Sequence, residues 1–307
     1  MELLASLAIL LFLISLGFLS RYYNIFKKGQ ISTLTSFIYY FGLPALFIVR
    51  ISKLDITLIN PIVFVGSIAP ILIISAFIYL FYILKIIKHE AAILLGLSIV
   101  FGSNAFFGLA FFEFFKEGAY FDHAIATASA LGALGIILSL FLFELTQKKA
   151  HFKAALSKLT RNPLIIAIAI GFTLSTFGIN KFFILKSLEM LGNAAPGIAV
   201  FCLGIFFYDN FSIKLITKSY HLAIFRQISL PLGFFIFVFI CNKLTSDCIS
   251  FNNYQFLLLQ TGIPSAVSLA IFANKYKFKV QEITGLIIIT SFLSFLFLGL
   301  LYLISLG

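Results

Sequence analysis

Ten runs of about 20 apolar residues follow one another along the 307-residue chain, each closed by a short gap that carries charge. The runs cover roughly 3–20, 33–51, 61–84, 91–115, 122–145, 162–179, 183–208, 220–241, 253–274 and 282–304. A helix of that length crosses the hydrocarbon core of a bilayer, so the pattern reads as an all-α integral membrane protein of ten transmembrane helices. Composition agrees. Hydrophobic residues make up 61% of the chain and charged ones 11%, against about 25% charged in soluble domains. The net charge of +11 lies in the gaps and not on one face of a soluble domain, so no nucleic-acid partner is expected and the lipid bilayer is the surrounding medium.

The longest interruption, Thr146 to Asn162, contains Lys148, Lys149, Lys153, Lys158 and Arg161. It reads as a basic cytoplasmic linker (146–161) between a first repeat at 1–145 and a second at 162–307. With five spans in each half, the second repeat enters the membrane in the opposite sense, giving two inverted five-helix repeats. Most of the 22 lysines and arginines fall in loops 1–2, 3–4, 5–6, 7–8 and 9–10 or at the adjoining helix ends, whereas Glu113, Glu117, Asp122 and Asp247 lie on the other side. By the positive-inside rule both termini are non-cytoplasmic. Met1-Glu2 and the apolar run behind them lack the charged start and cleavage site of a secretory signal, and read as the first span. Abundant Phe, Ile and Lys suggest an AT-rich bacterial genome and an inner membrane.

Helix breakers recur at matching places in the two halves. Gly42-Leu43-Pro44 interrupts span 2 and Gly192-Asn193-Ala194-Ala195-Pro196 interrupts span 7; Pro70 and Pro231 sit in spans 3 and 8. Gly102-Ser103-Asn104 interrupts span 4 and Thr261-Gly262-Ile263-Pro264 interrupts span 9. A break inside a bilayer bares backbone N–H and C=O groups that must face protein or a hydrated cavity, and the half-helix beginning after it points a positive dipole end at the gap. Paired breaks of this kind mark the substrate site of a carrier, and the positive ends suit an anion. The same Gly, Ser and Thr residues would also serve close helix packing without binding anything.

Acids offer little. Glu113, Glu144, Glu189 and Asp209 fall near helix ends and read as interfacial, which argues against a proton or sodium antiporter built on a buried carboxylate. Arg226, a turn into span 8 beside His221, reads as snorkelling to the cytoplasmic interface, or as drawing an anionic substrate to the inner mouth; Arg50 and Lys53 carry the same two readings. Cys202, Cys241 and Cys248 form no CxxC pair, so neither a structural disulfide nor a zinc site is expected, although Cys241 and Cys248 are near enough for a loop bridge. There is no HExxH, GxSxG or P-loop, and the four histidines are scattered. The chain reads as no enzyme, with no cofactor and no metal.

Phe41-Gly42-Leu43-Pro44-Ala45-Leu46, Arg161-Asn162-Pro163-Leu164-Ile165-Ile166, Gly192-Asn193-Ala194-Ala195-Pro196 with Leu203-Gly204, Arg226 to Pro231, and Pro264 to Tyr276 occur in an order and spacing that resembles the auxin efflux carrier family. That family holds the plant PIN exporters and bacterial organic-acid permeases. The resemblance implies crossed, broken helices 4 and 9, a scaffold of spans 1, 2, 6 and 7, and a transport domain of spans 3–5 and 8–10 moving like an elevator. Two departures stand out. The family's fourth helix usually reads Asn-Thr-Gly-Phe-x-Gly-x-Pro; anchored on Gly108, this chain has Ser103 at the Asn position, Asn104 beside it and Ala110 in place of Pro. Ser268 stands where bacterial relatives often carry Asn.

The reading is a secondary carrier of a small organic anion such as a carboxylate, with a homodimer permitted. Gly102, Ser103, Asn104, Thr261, Gly262, Pro264, Ser265 and Ser268 form the crossover site, and Pro44 and Asn193 face it from the scaffold. A sodium-coupled symporter of the bile-acid type and a membrane ligand sensor are the alternatives.

Overall fold

The computed structural model describes residues 2–27, 29–53, 61–147, 163–179, 183–244 and 248–306. Among them there is no strand, and seven helices are long and apolar enough to cross a membrane. Shorter apolar helices lie at His89–Val100, Asn104–Phe114 and Pro163–Thr176. The basic residues of the 146–161 linker from Lys148 onward, and Asn162, lie outside the described residues.

The chain packs as two units. The first contains α1 (Glu2–Tyr22), α2 (Gln30–Phe37), a π-helical turn at Ile38–Gly42, α3 (Leu43–Lys53), a second π-helical turn at Asn104–Gly108 and α6 (Leu109–Phe114). The first part of α7 (Phe121–Glu144), α8 (Pro163–Thr176) and α9 (Phe183–Asn210) complete it. Here α1 and α3 lie against α9, and α3 against α8. Their contacts use residues without side chains, because lipid tails are as apolar as leucine and the gain comes from close backbone approach. A Cβ on Gly17 would collide with the Phe201 carbonyl oxygen, and one on Gly204 with that of Ile14. A Cβ on Gly192 would stand 2.7 Å from the backbone nitrogen and Cα of Leu46. At the helix ends Arg21 Nε donates to Asp209 Oδ1 at 2.8 Å and Lys53 Nζ donates to Glu189 Oε1 at 2.8 Å. Arg50 places its guanidinium over the Phe121 ring, 5.0 Å from the centroid. The two acids near these ends therefore pair with basic side chains of their own unit.

One expected break is absent. Helix α9 runs without interruption from Phe183 through Gly192-Asn193-Ala194-Ala195-Pro196 to Asn210. Proline removes one backbone hydrogen bond and its ring crowds the preceding turn, but the helix packs tightly here, Gly192 against Leu46 of α3 and Ala195 against Gly42 of the π-helical turn. In span 2 the disturbance is a π-helical turn ending at Gly42, after which α3 continues through Pro44. Such single π-helical turns inside α-helices are rare and are found frequently at functional sites.

The second unit contains α4 (Pro61–Ile83), α5 (His89–Val100), the rest of α7, α10 (Ile213–Leu244), α11 (Phe251–Thr261), α12 (Ser268–Tyr276) and α13 (Val280–Leu306). Helix α10 is its post: α4, α5, α11 and α13 all pack on it. Pro70 and Pro231 lie inside continuous helices, α4 and α10. Ser250 caps α11 by accepting a hydrogen bond from the Asn253 amide. Tyr276 donates to Glu144 at 2.7 Å. Outside the spans, Lys279 meets Glu90 at 2.9 Å, and this hydrogen bond raises the ammonium pKa above its ordinary value.

Cys241 at the end of α10 and Cys248 before α11 form a disulfide, with Cα atoms 6.0 Å apart. A structural disulfide was not expected, but this is the loop bridge that the sequence left open: the 6.0 Å between the Cα atoms is within bridging range.

Candidate functional site

Helices α5 and α11 of the second unit stop in mid-course and their breaks pair with each other. Helix α5 ends at Val100, and Phe101 turns extended with φ −129° and ψ 96°. Helix α11 ends at Thr261, and six residues separate it from α12. Gly102 and Ser265 form an isolated antiparallel bridge. The Ser103 amide donates to the Pro264 carbonyl at 2.8 Å, and the Ala266 amide donates to the Phe101 carbonyl at 3.0 Å. The two interruptions thus satisfy part of each other's bared backbone, which is what allows them to persist in an apolar setting.

Side chains meet a further part of the bared backbone and brace it. Thr290 of α13 accepts the Ser265 amide on its Oγ1 at 3.1 Å. Gln227 Nε2 donates to the Thr290 carbonyl at 3.2 Å and to Ser294 Oγ at 2.9 Å. Thr261 turns its hydroxyl back to the Leu258 carbonyl at 2.7 Å, so it ties off the end of its own helix. Gly262 packs where a Cβ would meet Leu301 and Leu298 of α13 at 3.0 and 3.2 Å.

Arg226 corrects the sequence reading most sharply. It is 2% exposed, so it neither snorkels to an interface nor lines a mouth. Its guanidinium donates to the carbonyl of Ser98, the third residue from the end of α5, and to the carbonyls of Ile263 and Pro264 beyond α11, at 3.1 and 3.4 Å.

Of the residues expected at the site, Gly102, Ser103, Thr261, Gly262, Pro264, Ser265 and Ser268 are brought together around these two breaks. Asn104 begins the π-helical turn of the first unit; Pro44, buried in α3, and Asn193, exposed on α9, also belong to that unit. Ser98, Gln227 and Thr290 were not expected. A Ser, Gln or Thr inside an apolar run carries no sign that it faces a break rather than another helix.

One part of the gap is left open. Among the described residues the N–H groups of Val267 and Ser268, at the start of α12, donate no hydrogen bond, and both residues are partly exposed while Ser265 and Ala266 before them are buried. The first turn of a helix presents such donors together with the positive end of its dipole. An anionic group is what that end can hold.

A family profile described as membrane transport protein matches residues 3–302, nearly the whole chain. The chain belongs to the membrane transport protein family. This family includes the auxin efflux carriers and PIN-like permeases, so the resemblance read from the sequence holds. A member of it is a transporter set in a membrane, in keeping with the apolar helices. No curated protein matches the chain.

Proposed function

We propose that this membrane transport protein is a secondary carrier of a small organic anion such as a carboxylate, and not an enzyme. The observation that carries the reading is the pairing of the α5 and α11–α12 breaks, with two unengaged N–H donors on partly exposed residues at the start of α12. Carriers place substrate where helices are discontinuous, and a carboxylate fits an unpaired helix N-terminus.

In this reading ten spans form two inverted five-helix repeats, and the broken helices 4 and 9 cross at the substrate. Spans 1, 2, 6 and 7 are the scaffold; spans 3–5 and 8–10 carry the substrate in an elevator-like movement. The division of the chain into two packed units supports a two-body motion, although residues 104–133 group with spans 1, 2, 6 and 7. Gly102, Ser103, Ser265 and Ser268 bind substrate from the moving body. The Cys241–Cys248 bridge supports a non-cytoplasmic position for the loop between spans 8 and 9, since such bonds persist in oxidising compartments. With ten spans, that position goes with non-cytoplasmic termini, the reading the loop charges also support. The membrane in question is a bacterial inner membrane.

Counterflow in proteoliposomes tests the proposal. Vesicles preloaded with unlabelled acid should accumulate labelled acid for at least one member of a panel of dicarboxylates and aromatic monocarboxylates. Binding in detergent without accumulation would identify a ligand sensor, and no response to any anion would remove the proposal.

A further inference from the structure

Two broken helices leave more than a place for an anion: they also leave carbonyls. The last carbonyls of α5 and those just beyond α11 have lost their acceptor role within a helix, and each helix end carries about half a negative charge. At such junctions in carriers the unwound carbonyls and half-helix C-terminal ends usually collect a cation from solution. Here three of those oxygens, on Ser98, Ile263 and Pro264, converge on the guanidinium of Arg226.

Charge is balanced without an acid. Among the described residues no carboxylate stands within ion-pairing distance of Arg226; its neighbours are the backbone oxygens named above. Two helix C-termini of about half a charge each match the single charge of one guanidinium. Depth fits as well, because Arg226 lies well inside α10 and is buried, where an unbalanced cation would be costly.

We propose that Arg226 is a built-in cation, occupying the position at the helix crossover that a coupling sodium ion would otherwise fill, so that this carrier needs no sodium there. The inference takes its consequence for coupling from the carrier reading above, whereas its geometry stands alone. It places Arg226 as a positioning residue that holds α5 and α11 end to end and so keeps the start of α12 aimed at substrate. Nε of Arg226 has no partner among the described residues, so the side chain is committed to the carbonyls through its two terminal nitrogens.

The test uses the full chain in detergent as wild type, Arg226→Lys and Arg226→Gln. Thermal midpoints are read by size-exclusion in choline, sodium and guanidinium chloride at matched low-millimolar concentration. Wild type and Arg226→Lys, each with a tethered charge, should show the same midpoint in all three salts. Arg226→Gln should fall in choline and recover saturably with guanidinium or sodium, a response that lost packing alone would not give. An Arg226→Gln midpoint equally low in every salt, or a wild-type midpoint raised by sodium, overturns the inference. If Arg226→Gln does not accumulate, wild-type uptake decides: equal rates in sodium and choline support the inference, and sodium-dependent uptake overturns it. The midpoints require no transport, so a protein that moves no carboxylate but shows the salt response separates this inference from the carrier reading.

Discussion

Ser268→Asp is expected to cut anion uptake strongly while leaving the protein as stable as wild type. Ser268 is the first residue of α12, partly exposed, at the end where two N–H donors are unengaged. A carboxylate fixed there is favoured by the helix dipole by about 0.3–1 kcal/mol, so the fold does not suffer. The same carboxylate occupies the donors and repels an incoming anion, and uptake should drop by at least about tenfold, equivalent to about 1.4 kcal/mol of lost binding. Ser268→Ala keeps the backbone donors and removes only a hydroxyl, so its loss should stay near the 0.5–1.5 kcal/mol of one hydrogen bond. Uptake by reconstituted protein, with the thermal midpoint measured on the same preparation, separates the outcomes. Wild-type uptake by the Asp variant would show that substrate does not use this helix end.

Gly204→Val is expected to act on the other property, losing stability with no direct contact to substrate. Its Cβ would press into the Ile14 carbonyl, with the Phe18 nitrogen 2.8 Å away, so the obstacle is backbone and cannot rotate aside. Only separation of α1 from α9 relieves it, and that surrenders the packing that holds these helices together in lipid. Overpacking of this kind costs about 1–3 kcal/mol and more where backbone is the obstacle. The variant should appear as a lowered thermal midpoint and a poor monodisperse yield on size-exclusion. Gly197→Val, on the same helix with nothing within 4 Å of its Cβ, should be close to neutral.

What the sequence could and could not disclose follows from where each signal lies. Gly102 and Pro264 announce their breaks because nothing in a continuous apolar helix requires a glycine followed by serine and asparagine, or a proline two residues after a glycine and just before a serine. Gly192 and Pro196 give the same local signal, yet α9 is continuous. The difference is the partner: a glycine that admits the Leu46 backbone and a glycine that ends a helix are the same letter. Arg226 was misplaced for a related reason. By hydropathy its span begins near 220, which puts the guanidinium at an interface, but α10 begins at Ile213 with polar residues. That adds about two turns at 3.6 residues each and carries Arg226 to the depth of the breaks. Thr290 accepts a backbone amide exposed by a different helix, and Gln227 reaches the helix that carries Thr290, relations that only the three-dimensional packing supplies.

The account stands on the start of α12 being an anion site open to solution. Ser268→Cys tests this directly, because Cys202 is buried and Cys241 is bonded to Cys248, leaving the new thiol as the reactive one. Its modification rates by an anionic sulfonatoethyl and a cationic trimethylammonioethyl methanethiosulfonate should be compared with and without carboxylate. In free solution the thiolate favours the cationic reagent; here the anionic reagent should equal or outpace it, and a transported carboxylate should slow both. The free-solution preference with no protection by any carboxylate would contradict the account.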